Sequence, residues 1–285
     1  MAAAISAPRP LALEIIAVPN TGPLSEEPTN AIIVGTAEVF IVDPGDEAGV
    51  EIISAKLAGR GAVTVKAILL THAHPDHAIA APALQRRYGC PIMLGSGEVP
   101  VMRDYLTWST VEHPLVGGMT LAVDGGCLEV LETPGHTPGH IALYEPVTQT
   151  LLAGDLVAGH GTVGILYPHG KMLDYFASLR GLQQLDIRTL IPGHGQTLTQ
   201  PPDIFGQYLE RRTARERSIL AIVGRGPTTV AAILPELYPA LAPQSKQAAV
   251  ATIIAHLEKL QAEGHVTADA DDLANARWRV SKSAL

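Results

Sequence analysis

Cysteine is scarce. Cys90 and Cys127 are the two in 285 residues, too few for a disulfide framework, and neither belongs to a paired-cysteine zinc motif. A reducing compartment is expected, and the chain reads as cytoplasmic. Aromatic residues make up 4% of the chain against 47% hydrophobic residues in all, so the cores have to be built from Ala, Leu, Val and Ile. No apolar run reaches the roughly 18 residues of a membrane-spanning helix. The stretch "MAAAISAPRPLALEII" is interrupted by Pro8, Arg9 and Pro10, so it lacks the pattern of a secretory leader. Basic residues are also short, 20 against 28 acidic ones, for a net charge of −8. The deficit is uneven: residues 1 to 205 hold 20 acids and 10 bases, residues 206 to 285 hold 8 acids and 10 bases. A strongly anionic body argues against unaided nucleic-acid binding.

What the chain does have is alternation. Short β-rich runs ("NAIIVGT", "EVFIVDPG", "VKAILLT", "CPIMLG", "MTLAVDGG", "CLEVLETPG", "IALYEP", "TLLAGD") are separated by helical patterns at Gly49 to Ala58, Ala78 to Tyr88 and Lys171 to Leu185. This mixture predicts an α/β class with sheet layers covered by helices, and "AVDGG" predicts a hairpin turn. The proline pair of "LTQPPDI" marks a boundary, giving one domain over 1–205 and a second module over 206–285. That module opens with an arginine-rich helix from about Ile204 to Val223. A helix capped by Thr228 or Thr229 follows, then a helix carrying Val250, Ile253, Ile254, Leu257 and Leu260 at helical spacing, stopped by Gly264. Two short strands in "HVTADADDLANARWRV" complete a winged helix-turn-helix pattern.

Almost every apolar run ends in a small-residue turn bearing a potential metal ligand. "THAHPDH" places His72, His74, Asp76 and His77 between a buried strand and a helix; "TPGHTPGH" offers His136, "LLAGD" Asp155 and "LIPGHG" His194. Imidazoles and carboxylates suit zinc and neighbouring transition metals, and strand ends converge on one rim of a sheet. Any one of these histidines alone reads as a solvated loop residue; the ordered set does not. His140 reads as a hydrogen-bonded core residue, His160 and His169 as residues that border a pocket, Lys171 as a solvated lysine, and His113, His256 and His265 as ordinary surface or module residues. Arg211 and Arg215 share a helix face, but the module has no dense basic stripe and no interleaved aromatics for base stacking.

The four motifs in this order resemble the metallo-β-lactamase superfamily, from about Leu11 to Thr199, and imply its four-layer αββα sandwich. The resemblance assigns His72, His74 and His136 to one metal, Asp76, His77 and His194 to a second, and Asp155 to a bridge between them, with Asp43 of "IVDPG" orienting an imidazole from beneath. It implies two zinc ions, with manganese or iron as substitutes, and hydrolysis by a metal-bridging hydroxide in which Asp76 is catalytic. Single-iron dioxygenases share much of the motif and stay open as an alternative. Ala78 stands where relatives usually carry glycine. With the second module, the pattern resembles the β-lactamase-like protein group, related to glyoxalase II, to thioesterases and to a mitochondrial endoribonuclease. The expectation is therefore a small acyl thioester or ester substrate, with single-stranded RNA as the alternative, no membrane partner, and room for a homodimer.

Overall fold

In the strand over 29–35, Ala31 and Ile33 enter one hydrophobic cluster while Ile32 and Val34 enter another, and all four are buried. A strand with period 2 and two buried faces reads as an unbroken apolar run, and this is the organising pattern of the first of two compact units. The computed structural model describes residues 9–21, 27–201 and 203–281. The first unit comprises Met1–Thr133, Gly139–Thr162 and Leu185–Pro202; the second comprises Pro134–Pro138, Val163–Gln184 and Asp203–Leu285.

The first unit contains two six-stranded sheets. One runs β1 (Leu13–Val18), β2 (Thr29–Gly35), β3 (Glu38–Val42), β4 (Thr64–Leu69), β5 (Ile92–Gly95), β6 (His113–Leu115), antiparallel as far as β3 and parallel from there. The other holds β7 (Thr120–Val123), β8 (Gly126–Glu132), β9 (Ile141–Glu145), β10 (Thr150–Gly154), β11 (Thr189–Pro192) and β12 (Leu198–Thr199), where only β10 and β11 pair in parallel. Between the sheets lies a core of Ile32, Phe40, Val42, Leu69, Leu128, Val130, Leu143 and Leu152. The opposite face of the first sheet packs Ile33, Ile41 and Ile68 with residues of α1 (Ala48–Ala58), α2 (Pro75–Ala78), α3 (Ala81–Tyr88) and α4 (Val99–Tyr105).

The second unit contains α5 (Met172–Leu182), α6 (Ile204–Val223), α7 (Val230–Leu237) and α8 (Lys246–Ala262), with a three-stranded sheet of β13 (Thr228–Thr229), β14 (Val266–Ala268) and β15 (Arg277–Val280) in the order β13, β15, β14. Its core gathers Ile219, Ile233, Ile253, Leu257, Val266 and the fully buried Trp278. Asp203 caps α6 by accepting from Gly206 N–H at 2.8 Å, and Thr229 caps α7 by accepting from Ala232 N–H at 3.3 Å. No helix among the described residues is long and apolar enough to cross a membrane.

Two local expectations change and a third narrows. The helix anticipated over Ala78 to Tyr88 is two helices, α2 and α3, because Ala80 and Pro82 begin a new first turn where a proline needs no N–H partner. Thr228 and Thr229 pair with Trp278 and Arg277 as a third strand, besides the cap. His256, read as a surface or module residue, is a buried residue of the module, with Nδ1 3.3 Å from Glu216 Oε1, whose other oxygen accepts from Lys259 at 3.0 Å.

Asp124, at φ 48° in the β7–β8 turn, holds the neighbouring β2–β3 turn: its carboxylate accepts from Thr36 N–H, from Thr36 Oγ1–H at 2.6 Å, and from Ala37 and Glu38 N–H at 3.1 and 3.0 Å. The Thr36 hydroxyl bond, outweighing partial burial and joined by the backbone donors, pushes the Asp124 pKa down to about 2. Because the folded pKa lies below the unfolded one, this stabilisation is complete above about pH 4 and disappears as pH falls towards 2. Asp124→Asn should therefore lower the unfolding temperature at neutral pH, and the gap from the native chain should close between pH 4 and 2 in thermal melts.

Candidate metal centre

Strand register builds the site. β3 and β4 are parallel with Val42 opposite Leu69, so the residues just beyond them, Asp43 and Leu70 to His72, emerge side by side. β10 and β11 are parallel with Gly154 opposite Pro192, which does the same for Asp155 and the Gly193–His194 turn. The two sets meet because Thr29 bridges to His194 and Ile141 N–H donates to Thr71 O at 2.9 Å. Gly193 is required by the crowding: a Cβ there would lie 2.3 Å from Asp155 Oδ1 and 2.8 Å from the His77 ring.

Asp43 is the hub. It is buried, with a φ of 45° that aspartate tolerates better than most residues. Its Oδ1 accepts from Thr71 N–H at 2.8 Å, and its Oδ2 accepts from Thr71 Oγ1–H at 2.6 Å and faces His77 Nδ1 at 3.1 Å. These contacts set tautomers. A carboxylate opposite His77 Nδ1 demands a proton there. The Thr71 hydroxyl has given its hydrogen to Asp43, so its oxygen accepts from His72 Nδ1–H, 3.0 Å away. His194 Nδ1 faces Pro28 O at 3.2 Å, and His136 Nδ1 faces Gly164 O at 2.8 Å. In each of the four rings Nε2 is left as the lone-pair nitrogen, the state that ligates a metal.

Two of those lone pairs converge, His77 Nε2 and His194 Nε2 at 3.2 Å, and His72 Nε2 faces His74 Nδ1 at 3.1 Å. Two imidazole lone pairs at such a distance repel unless a positive charge stands between them. Carboxylates surround the first pair: Asp155 Oδ1 is 3.5 Å from His77 Nε2, and Asp76 Oδ2 and Asp155 Oδ2 are 3.3 and 3.6 Å from His194 Nε2. Burial works against a charged His77, but Asp155, Asp43 and Asp76 hold its pKa well above the ordinary value. His194 is likewise raised, burial being outweighed by its bond to Asp76 and by Asp155. Burial opposes ionisation of Asp76, yet His77 and His194 hold its carboxyl below the usual range. A potential that retains a proton between two buried rings favours a metal cation at the same point. Within the first unit, His72, His77 and Asp155 form one group, and Asp76, His77 and His194 another, with ligand atoms inside each within 4.8 Å of one another. The donor chemistry fits zinc or a related transition metal.

Of the seven expected ligands, six lie in the first unit, on the turns after β4, β10 and β11, while His136 lies on the Pro134–Pro138 turn of the second. His140 is buried with Nδ1 2.9 Å from Thr133 Oγ1, and its Nε2 accepts the Asp155 N–H at 3.2 Å, so its lone pair is already used. Sequence reasoning missed Thr71 and Asn30. Asn30 Nδ2 donates to Pro192 O at 2.9 Å and Gly195 O at 2.8 Å, pinning the turn that carries His194. Thr71 had a signal, a hydroxyl directly between a strand and the first histidine; Asn30 had none. His160, exposed, pairs with the half-buried Glu27 at 2.6 Å, and Lys171 with Glu258 at 2.5 Å.

A family model for the metallo-β-lactamase superfamily matches residues 24–194, and one for the β-lactamase associated winged helix domain matches residues 229–278. The chain belongs to the metallo-β-lactamase superfamily, whose fold is that of hydrolases. Within it, the chain has the two-module form that ends in a winged helix. An atrochrysone carboxyl ACP thioesterase of Aspergillus fumigatus is 30% identical over 203 residues, 70% of this chain and 61% of that protein, so the match spans less than two thirds of the thioesterase's length. A β-lactamase-like protein 2 homolog of Caenorhabditis elegans is 30% identical over 210 residues, 72% of this chain and 68% of that one. The crystal structure of a metallo-β-lactamase family protein from Thermus thermophilus superimposes with a TM-score of 0.78 at 27% identity, over 94% of this chain and 98% of that one.

Asp43→Asn keeps the shape of the hub but turns one acceptor into a donor, which collides with Thr71 Oγ1–H or His77 Nδ1–H. Metal affinity should fall about 10- to 100-fold, measured by competition with a chromophoric chelator. Unchanged affinity would show that the hub does not set the tautomers.

Proposed function

We propose that this chain is a dinuclear metal-dependent hydrolase that cleaves a thioester or ester of a small acyl group. The observation that carries the reading is the His77–His194 pair, two Nε2 atoms 3.2 Å apart with both Nδ1 atoms facing acceptors and two carboxylates alongside. By motif order, His72, His74 and His136 would hold one ion and Asp76, His77 and His194 the other, with Asp155 available to both. Zinc suits this set of imidazoles and carboxylates, with manganese or iron as alternatives. Ions bound there would lower the pKa of water and polarise the scissile carbonyl.

The chain's own residues do the rest. Asp76, held ionised by His77 and His194, accepts a hydrogen bond from the attacking water and fixes its direction. Asp43 and Thr71 keep the His72 and His77 rings in the ligating tautomer, and His140 holds the backbone of Asp155. The thioesterase relative favours a thioester. Two of the four arginines of α6 are engaged in packing, while Arg211 and Arg217 are exposed: Arg212 is buried and donates to Val163 O at 2.5 Å, and Arg215 stacks 4.4 Å from the centre of the Tyr238 ring and donates to Leu237 O at 3.3 Å. Such a helix gives no reason to prefer RNA.

One purified sample should be assayed on acyl thioesters, simple esters, bis(p-nitrophenyl) phosphate and single-stranded RNA, with elemental analysis alongside. The expected result is about two transition-metal equivalents per chain, thioester or ester turnover, and loss of that turnover in Asp76→Asn with an unchanged circular dichroism spectrum. Arg211→Glu should leave it unaltered. RNA cleavage far above any ester, lost in both variants, would replace this reading with an endoribonuclease; one iron per chain with oxygen uptake on a persulfide would replace it with a dioxygenase.

A further inference from the structure

We infer that Glu98 is a positioning residue that fixes the His72–His74 ligand turn against the Gly139–His140 segment, which holds the backbone of Asp155, an inference that rests on the metal reading above. Glu98 ends a single 3-10 turn, Ser96–Glu98, directly after β5 and at the N-cap position of α4. Its side chain makes no capping bond to α4 and is fully buried. Oε2 accepts from Ala73 N–H at 2.8 Å, and Oε1 accepts from Gly139 N–H at 2.7 Å. Ala73 lies between His72 and His74. Gly139 precedes His140, whose Nε2 accepts from Asp155 N–H at 3.2 Å.

A buried carboxylate is costly unless hydrogen bonds satisfy it, and packing alone would be served by an apolar side chain. Here both oxygens of one rigid plane accept from backbone donors on two different turns, which a glutamine cannot reproduce: its amide nitrogen would confront an N–H. The backbones themselves are in close contact. A Cβ on Gly139 would stand 2.5 Å from Glu98 N and 2.7 Å from Gly97 C, and one on Gly95 would stand 2.1 Å from Gly139 O. The carboxylate thus clamps segments that already abut, so neither the His72–His74 turn nor the Gly139–His140 segment can shift alone. This is a different device from Asp43, which sets the protons of the rings; Glu98 sets the backbone from which they project. Residues that support metal ligands in this way commonly alter metal affinity about 10- to 100-fold when replaced.

The test uses the full chain, stripped with a chelator and titrated with cobalt(II), whose visible absorption reports ligand geometry, and compares native protein with Glu98→Gln and Glu98→Asp. Glu98→Gln is expected to bind cobalt about 10- to 100-fold more weakly and with a shifted absorption band. Glu98→Asp, which keeps both acceptors on a shorter stem, should recover part of the affinity. A purely structural role would lower the unfolding temperature of both variants and leave cobalt affinity and band unchanged, and that outcome overturns the inference. Should neither variant fold, hydrogen exchange on the native chain decides: slow exchange at the Ala73 and Gly139 amides supports the clamp, and fast exchange at either removes it. Native protein that takes up no cobalt would overturn the metal reading itself, which separates that failure from this one.

Discussion

One buried carboxylate, Asp43, governs the centre. An ionised group shielded from water must be surrounded by donors, and the three it has come from Thr71 N–H, Thr71 Oγ1–H and His77 Nδ1–H. Satisfying it forces the Thr71 hydroxyl to point one way, which makes that oxygen an acceptor for His72 Nδ1. Two rings on one short turn thus take the same tautomer from a residue on another strand. The imidazoles do not choose their protonation; the electrostatics of a strand end chooses it for them.

That control depends on register. Asp43 reaches Thr71 because β3 and β4 run parallel with their carboxyl ends level, and Asp155 reaches His77 and His194 because β10 and β11 do the same. A slip of one residue in either pair would turn the side chains beyond it to the other face. The apolar sequence of the strands, buried on both sides, is what prevents the slip: Ile33, Ile41 and Ile68 on one face and Ile32, Phe40 and Leu69 on the other cannot exchange without misplacing their packing. Hydrophobic patterning therefore holds catalytic geometry at one remove.

The sequence made the strands with two buried faces legible, because they read as plain apolar runs, and the elements of the winged-helix module legible through their helical spacing and caps. It hid β1, whose Ile15 is 40% exposed and whose pattern is mixed, and β6 and β12, which span three and two residues. It also hid β11, whose four residues run straight into the Pro-Gly turn. The helix α4 was obscured by Pro100 at its start, which reads as a breaker but sits where the first turn needs no N–H. The candidate ligands stood out because a metal site needs particular side chains at strand ends. Its supports were not: Asn30 and the Pro28 carbonyl reach the His194 turn from more than 160 positions away, a proximity that only sheet register creates.

The same strands have another end. Asp43, His72, Asp155 and His194 all follow the carboxyl ends of their strands, whereas the turn at Thr36 to Glu38, the segment after Gly59 and the stretch from Thr148 to Gln149 lie at the opposite pole. Asp124 clasps that far pole through four hydrogen bonds that involve none of the ligands. The first unit is thus divided along its strands into a pole that carries the candidate ligands and a pole that carries none. An inserted residue in the open segment after Gly59 costs a little loop entropy, and one in the Thr36–Glu38 turn would cost the Asp124 clasp as well; the same insertion beyond β4 or β10 would dismantle the site. Grafting a tag, a probe or a new binding loop onto this chain is accordingly a matter of choosing the pole.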